Sequence, residues 1–384
     1  MQDETDIQQQ PVQASSSLMQ RFLMWLHTIE GKLFGISVVV HVVLHALLLL
    51  LMPAPYYTGL LSGHDAGSYY IMAYDPFPAE PVESLMRYKR VAFSLVARAL
   101  FPWDAHVGIA LAAIIGAALA NLYFYRLASL YLANPWRIAL VFAFAPYLFA
   151  AAHVGVPDTL SIAFVLAALF YLLQDQHKRM IVSAALALLF KEVAAVAVFA
   201  MAVISFWRIG VVRTFGYFFL VGIPTLIVVV IYALVWNDPL WYLGESRMAA
   251  VPAPVTLFNL FLSPESTIHV RVSSVINMVV LALLAYGIWG LRKFDRTLQV
   301  YVVISILPLL FLDWRQYQSD FDMVRQYMVA APALLPFSAF FNRLHYWIYR
   351  LVLIGMFFYA LYYILSIGKF FVTYKEVILR LLPV

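Results

Sequence analysis

The ionisable residues of this chain are few, and many of them gather in one stretch. Between Gly63 and Arg90 (GHDAGSYYIMAYDPFPAEPVESLMRYKR) stand His64, Asp65, Asp75, Glu80, Glu83, Arg87, Lys89 and Arg90. A carboxylate such as Asp65 can take a proton from an attacking hydroxyl. The forked guanidinium of arginine suits a phosphate. The plainer readings are a solvated loop carboxylate and basic residues resting on anionic headgroups. Asp65 lies about a dozen residues beyond a long apolar run, and ionisable groups beside a bilayer are expensive and tend to mark function. The stretch is therefore read as half of an active site on the outer face of a membrane.

Further candidates lie elsewhere. Asp158 follows His153-Val-Gly-Val-Pro and either serves a site or caps the next helix. Lys191-Glu192 interrupts an apolar segment, as part of a site or as a structural ion pair. Arg315 and Arg325 share a late loop with Asp313, Asp320 and Asp322, so a phosphate site and a surface charge network both stay open there. His64 is as readily structural as catalytic. Asp320-Phe-Asp322 has the spacing of two carboxylates on one divalent metal, a motif too short to be specific. His106, His153 and His269 show no ligand spacing, and no metal site is assigned. With no cysteine, thiolate chemistry and disulfides are excluded. No glycine-rich phosphate loop and no serine nucleophile elbow occur.

These residues need a scaffold, and composition says what kind. Of 384 residues, 64% are hydrophobic and 12% charged, and the mean hydropathy is +0.85. Soluble domains carry roughly a quarter charged residues. The chain is read as an all-α polytopic membrane protein. Its net charge of +5 falls in short clusters between apolar runs, as topology signals do, and does not point to nucleic acid. The polar start is expected to be a disordered cytoplasmic tail over residues 1–31, ahead of one membrane domain over 32–384.

A spanning helix needs about 20 mainly apolar residues. Leu33 to Met52 is the first span, with Arg21 and Lys32 before it setting the N-terminus inside. The loop 53–106 is then outside; within it Ile71-Met72-Ala73 reads as a short helix with Asp65 near its start, and Val91 to Phe101 as a helix lying in the interface. Spans follow at Val107 to Tyr125, Ile138 to Ala152 and Thr159 to Leu173. Met180 to Trp207 is long for one helix. Arg179 at one end and Arg208 with Arg213 at the other suit a hairpin, with Lys191 and Glu192 pointing outward from its tip. Further spans are placed at Thr214 to Trp236, Val272 to Leu291, Leu298 to Leu312, Met328 to Phe341 and Tyr346 to Ile367. The sum is nine spans and one hairpin, with RKFDR at 292–296 inside, and no fixed-period repeat.

Three pieces of sequence, in order, resemble the GT-C type of membrane glycosyltransferase, and its mannosyltransferases in particular. They are HDAGSYYIMA with RYKRVAFSLVARALFP, then HVGVPDTLSIAFVLAALFYLL, then RMIVSAALALLFKEVAAV. The resemblance covers roughly the first half of the chain; the second half is similar only in hydropathy and in one late loop with arginine. It implies a GT-C-like helix bundle in the plasma (inner) membrane, serving the cell envelope. The sugar would pass from a polyprenyl phosphate to a glycan, lipid or protein acceptor on the outer face. It implies Asp65 as base, with inversion, and Arg87, Arg90 or Arg325 on the phosphate. His64, Asp158, Lys191, Glu192 and Arg315 complete the expected binding site, and a groove between spans would take the lipid chain. The rivals are a transporter or lipid flippase and a noncatalytic assembly subunit. Transporters usually show internal repeats, and the charge here sits mainly in expected outer loops.

Overall fold

The computed structural model describes residues 24–51, 66–80, 85–241, 252–264, 266–311 and 327–367. Every regular element among them is helical, so the expected all-α, multi-spanning bundle is what the chain forms. The helices are α1 (Ile29–Leu51), α2 (Ala66–Tyr74), α3 (Leu85–Tyr88), α4 (Val91–Leu100), α5 (Ala105–Ser129), α6 (Trp136–Ala143) and α7 (Pro146–Val154). They continue with α8 (Asp158–Leu173), α9 (His177–Phe190), α10 (Ala194–Ile209), α11 (Val211–Trp236), α12 (Ala253–Leu262), α13 (Ile268–Leu291) and α14 (Arg296–Ile306). A 3₁₀ turn (Leu307–Phe311) extends α14, and a 3₁₀ helix (Met328–Phe337) leads to α15 (Ser338–Arg343) and α16 (Tyr346–Ile367).

Among the described residues, five helices are long and apolar enough to cross a membrane by length and composition: α1, α5, α11, α13 and α16. Counting the bent pair α6 and α7 as one span makes six. By that measure the described residues hold fewer long apolar helices than the nine expected spans, and the reasons are local. The segment expected as one span at 138–152 turns by 45° where Pro146 opens α7, because proline cannot continue the α6 hydrogen-bond ladder. Helix α8 has 16 residues, about 24 Å, and so falls below the length of a full span even though it runs from one pole of the bundle to the other. The segment 328–337 carries Pro332 and Pro336 and winds as 3₁₀. The stretch between the expected spans ending at Trp236 and starting at Val272 contains α12. Apolar composition alone does not separate a span from a short buried helix.

Helix α5 is the hub. It packs against α1, α4, α7 and α8, and α8 packs in turn on α9. Small residues permit the close approach, as is common between membrane helices. A Cβ on Gly116 would come within 2.6 Å of the Leu160 nitrogen, and one on Gly108 within 2.0 Å of the Ala97 carbonyl oxygen. Gly116 therefore lets α5 touch the start of α8, where Asp158 stands. Helix α4 is as short as expected but not merely superficial: Val91, Phe93 and Ala97 are buried while Leu95 and Leu100 stay exposed. Helix α11 instead turns most of its surface outward, with Val212, Phe215, Phe219 and Leu234 exposed.

Polar contacts sort into two poles. At one, Arg126 donates to Glu30 at 2.5 Å, Tyr131 to Asp295 at 2.8 Å and Arg208 to Asp175 at 3.1 Å. Arg137 there donates to the carbonyls of Phe341, Asn342 and Leu344. These stretches are the ones expected inside. At the other pole lie Asp158, Lys191, Glu192 and Arg90. Helix α8 joins the poles, with Asp158 at one end and the Leu173 carbonyl, which accepts from Arg208, at the other. Since α9 leaves the Arg208 pole and α10 returns to it, 180–207 is the expected hairpin.

Candidate functional site

The site pole is built where helices break. Lys191 ends α9 in an extended conformation (φ −160°, ψ 132°), and a turn through Glu192 starts α10, with Ala195 donating to the Glu192 carbonyl at 2.9 Å. The break frees two consecutive side chains to point in different directions. Lys191 reaches Asp158 and forms a buried ion pair, with side chains 4% and 2% exposed. Asp158 sits in the first turn of α8, whose dipole favours a carboxylate. The N-cap is Pro157 and makes no side-chain cap bond, so Asp158 is not the cap. Glu192 meets Arg90 through two parallel hydrogen bonds, Nη2 to Oε1 at 2.5 Å and Nε to Oε2 at 2.9 Å. Such a bidentate fork is the strongest geometry for this pair.

The expectation that Lys191 and Glu192 point outward is therefore corrected. They do occupy the hairpin tip, but each is drawn back into the bundle by an opposite charge. Burial alone would push the Glu192 carboxyl up. The Arg90 guanidinium beside it, the hydrogen bonds from that group and the Lys191 charge outweigh burial and hold the carboxyl down at about 2.

The first loop joins the same cluster. Helix α2 begins at Ala66, one position after Asp65 in sequence, which agrees with the expected short helix there. It presents Ser68, which accepts from Arg87 Nη1 at 2.5 Å, and Tyr69, whose hydroxyl accepts from Arg90 Nη1 at 2.9 Å. Arg87 and Arg90 therefore stand over successive residues of α2. The loop after α2 is clamped to the end of α11: the Tyr232 hydroxyl donates to the Pro76 carbonyl at 2.5 Å and the Trp236 indole to the Pro78 carbonyl at 2.9 Å. Tyr88 packs edge-on against both rings. Tyr69, Tyr88, Phe93, Tyr232 and Trp241 form a buried aromatic floor.

Of the sequence-predicted site residues, Arg87, Arg90, Asp158, Lys191 and Glu192 come together at one pole. His64, Asp65, Arg315 and Arg325 lie outside the described residues, as do Asp320 and Asp322. Among the described residues no group of three or more His, Asp or Glu side chains has a metal-holding arrangement. Sequence reading missed the roles of Ser68, Tyr69, Tyr232 and Trp236. The signal available was slight: Tyr69 falls in the first charged stretch, but nothing in the order of residues couples 232–236 to 76–78.

An apolar cavity of about 250 Å³ lies at the bend between α6 and α7. Tyr147, Leu283, Tyr327, Met328, Leu334 and Phe337 are among the residues lining it. No protein-family model matches the chain, and no curated protein sequence matches it. Fold and site define a multi-pass α-helical membrane protein with a buried charged cluster at one pole.

Proposed function

We propose that this protein is a membrane glycosyltransferase that moves a sugar from a polyprenyl-phosphate donor to an acceptor hydroxyl on the outer face. One observation carries the reading. Charged side chains from three separate segments, 87–90, 158 and 191–192, converge at one pole beside a helix that starts just after Asp65. The resemblance to the GT-C type was drawn from those same segments. The positive-inside rule assigns the opposite, Arg-rich pole to the cytoplasm, which turns the cluster to the extracytoplasmic side.

In the reaction, the acceptor oxygen attacks the anomeric carbon as Asp65 takes its proton. The bond from that carbon to the phosphate oxygen breaks, and the lipid phosphate leaves with the electron pair. Attack opposite the leaving group inverts the anomeric centre. The leaving charge calls for fixed cations. Arg87, which stands over Ser68 of α2, is one candidate, with Arg315 and Arg325 as expected partners; Arg90 acts through Glu192 and Tyr69, because its fork is engaged with them. The apolar cavity at the α6–α7 bend supplies a surface on which part of an isoprenyl chain can lie.

The test is sugar release from polyprenyl-phosphate donors by purified protein with candidate acceptors. Asp65→Asn keeps the shape but cannot take the proton, so turnover should fall about 100- to 10,000-fold while donor binding persists. Unchanged turnover in Asp65→Asn, or a product of retained configuration, would sink the assignment.

A further inference from the structure

A second polar feature runs through the apolar interior, away from the charged cluster. On α1, Ser37, His41 and His45 recur every four residues, so they share one face. All three are buried, although the helix is among those long enough to span. The face meets α5 through Asn121, which donates to the Ser37 hydroxyl at 2.9 Å. It meets α7 through His153, which is fully buried. His153 lies between the two α1 histidines: its Nε2 is 3.0 Å from His41 Nδ1, and its Nδ1 is 3.1 Å from His45 Nδ1. The His41 ring also packs on Phe149, with centroids 4.5 Å apart. Polar side chains at this depth are costly to keep and tend to be functional.

The order of the nitrogens decides what the trio can do. Because His153 uses one ring nitrogen for each neighbour, the three rings form a row and do not converge on a point where one ion could sit. A neutral imidazole carries one N–H and one lone pair. His153 must then donate to one neighbour and accept from the other, which gives the row a direction. In one register His41 Nδ1 donates to His153 Nε2, and His153 Nδ1 donates to His45 Nδ1. A proton delivered by a protonated water at His41 Nε2 sends the His41 Nδ1 proton to His153 Nε2. The His153 Nδ1 proton then moves to His45 Nδ1, and the His45 Nε2 proton leaves to a second water. One proton enters, one leaves, and no charge remains on the rings. The row is left in the opposite register, ready to run backwards.

From this geometry we infer that His41, His153 and His45 form a proton relay inside the bundle. It would carry one proton about 6 Å, the rise of four residues along α1. The inference is independent of sugar transfer. A purely structural trio would make the same contacts with His153 frozen in a single tautomer.

Nitrogen NMR of ¹⁵N-histidine-labelled full-length protein in lipid nanodiscs separates the two. His153 is identified as the ring coupled through both nitrogens to two other rings, and by the loss of that signal in His153→Gln. The relay predicts that both His153 nitrogens resonate between the pyrrole-type and pyridine-type positions, because the two registers exchange. It also predicts that His45→Phe collapses His153 into one tautomer, with one nitrogen at each extreme. If unsubstituted protein already shows His153 as a single fixed tautomer, the relay is wrong. The same holds if His45→Phe leaves the averaged positions unchanged. Assignment through the couplings needs no variant, so the test stands even where His153→Gln fails to fold.

Discussion

Two of the buried polar groups among the described residues solve the same problem in different ways. The cluster at the site pole uses permanent charges, two cations against two carboxylates. The trio on α1 and α7 uses neutral rings. The difference follows the backbone. Lys191, Glu192 and Asp158 stand where helices stop or start, so each can turn to meet an opposite charge. His41 and His45 stand inside an unbroken helix, where side-chain directions are fixed by the 3.6-residue turn. Isolated charges at such places would lack counter-ions, so groups that can both donate and accept are better suited. In these two groups the ions stand at element breaks, while two of the three rings stand within the continuous span α1 and the third in the last turn of α7.

The comparison breaks most sharply at Lys191. Lys191→Met removes one charge and leaves Asp158 buried without it. Breaking one partner of a buried pair costs about 3–5 kcal/mol. The thermal midpoint in detergent should fall markedly. The double variant Lys191→Met, Asp158→Leu should recover much of the loss, since apolar replacement of a whole buried pair is often neutral. A double variant no more stable than the single one would mean that the pair is not the source of the effect.

Arg90→Lys should cost less, because it keeps the charge and loses only the fork. A charge-assisted hydrogen bond is worth about 1.5–3 kcal/mol, and one of the two to Glu192 can survive in lysine. If Arg90→Lys is neutral while Arg90→Met is not, the bidentate geometry contributes nothing. The same pair sets an acid limit. Glu192 is held down at about 2, below its ordinary value of 4.5. A depressed carboxyl contributes stability that is fully present above the unfolded pKa and is lost as pH falls through the folded one. Midpoints of the unsubstituted protein should therefore drop between pH about 4.5 and about 2. Glu192→Gln should flatten that part of the profile, and an equal slope in both proteins would contradict the pairing.

These contrasts also explain what could be read in the sequence. The all-α bundle followed from apolar runs and charge spacing. The hairpin at 180–207 followed from Arg179 and Arg208, because basic residues mark ends whatever the helices do between them. The number of long unbroken helices among the described residues did not follow: Pro146, Pro332 and Pro336 change the winding without changing hydropathy. Five of the expected site residues come together because they are ions in an apolar chain: four of them pair with one another, and Arg87 donates to Ser68 beside them. Tyr69, Tyr232 and the partnership of His153 with His41 stayed hidden, since each depends on contacts between residues distant in sequence or on a face shared with apolar neighbours. The four-residue spacing of His41 and His45 was available, but a histidine pair in an apolar run says nothing about its partner until α7 is placed beside α1.

The smallest effect is expected at the other member of the comparison. His153→Gln replaces a ring with an amide that still donates from its nitrogen and accepts at its oxygen, so both neighbours can remain bonded. A hydrogen bond between neutral groups contributes about 0.5–1.5 kcal/mol net, and here little of it is lost. His153→Leu has no polar atom and strands a ring nitrogen on each of His41 and His45, at about 1–3 kcal/mol for each group left without its bond. Midpoints in detergent should therefore rank unsubstituted protein and His153→Gln together, with His153→Leu well below. That ordering would show that the trio fastens α1 to α7 by hydrogen bonding rather than by shape. A leucine variant as stable as the glutamine one would mean that the rings only fill space, and the division between ions at helix breaks and hydrogen-bonded rings within spans would lose its second half.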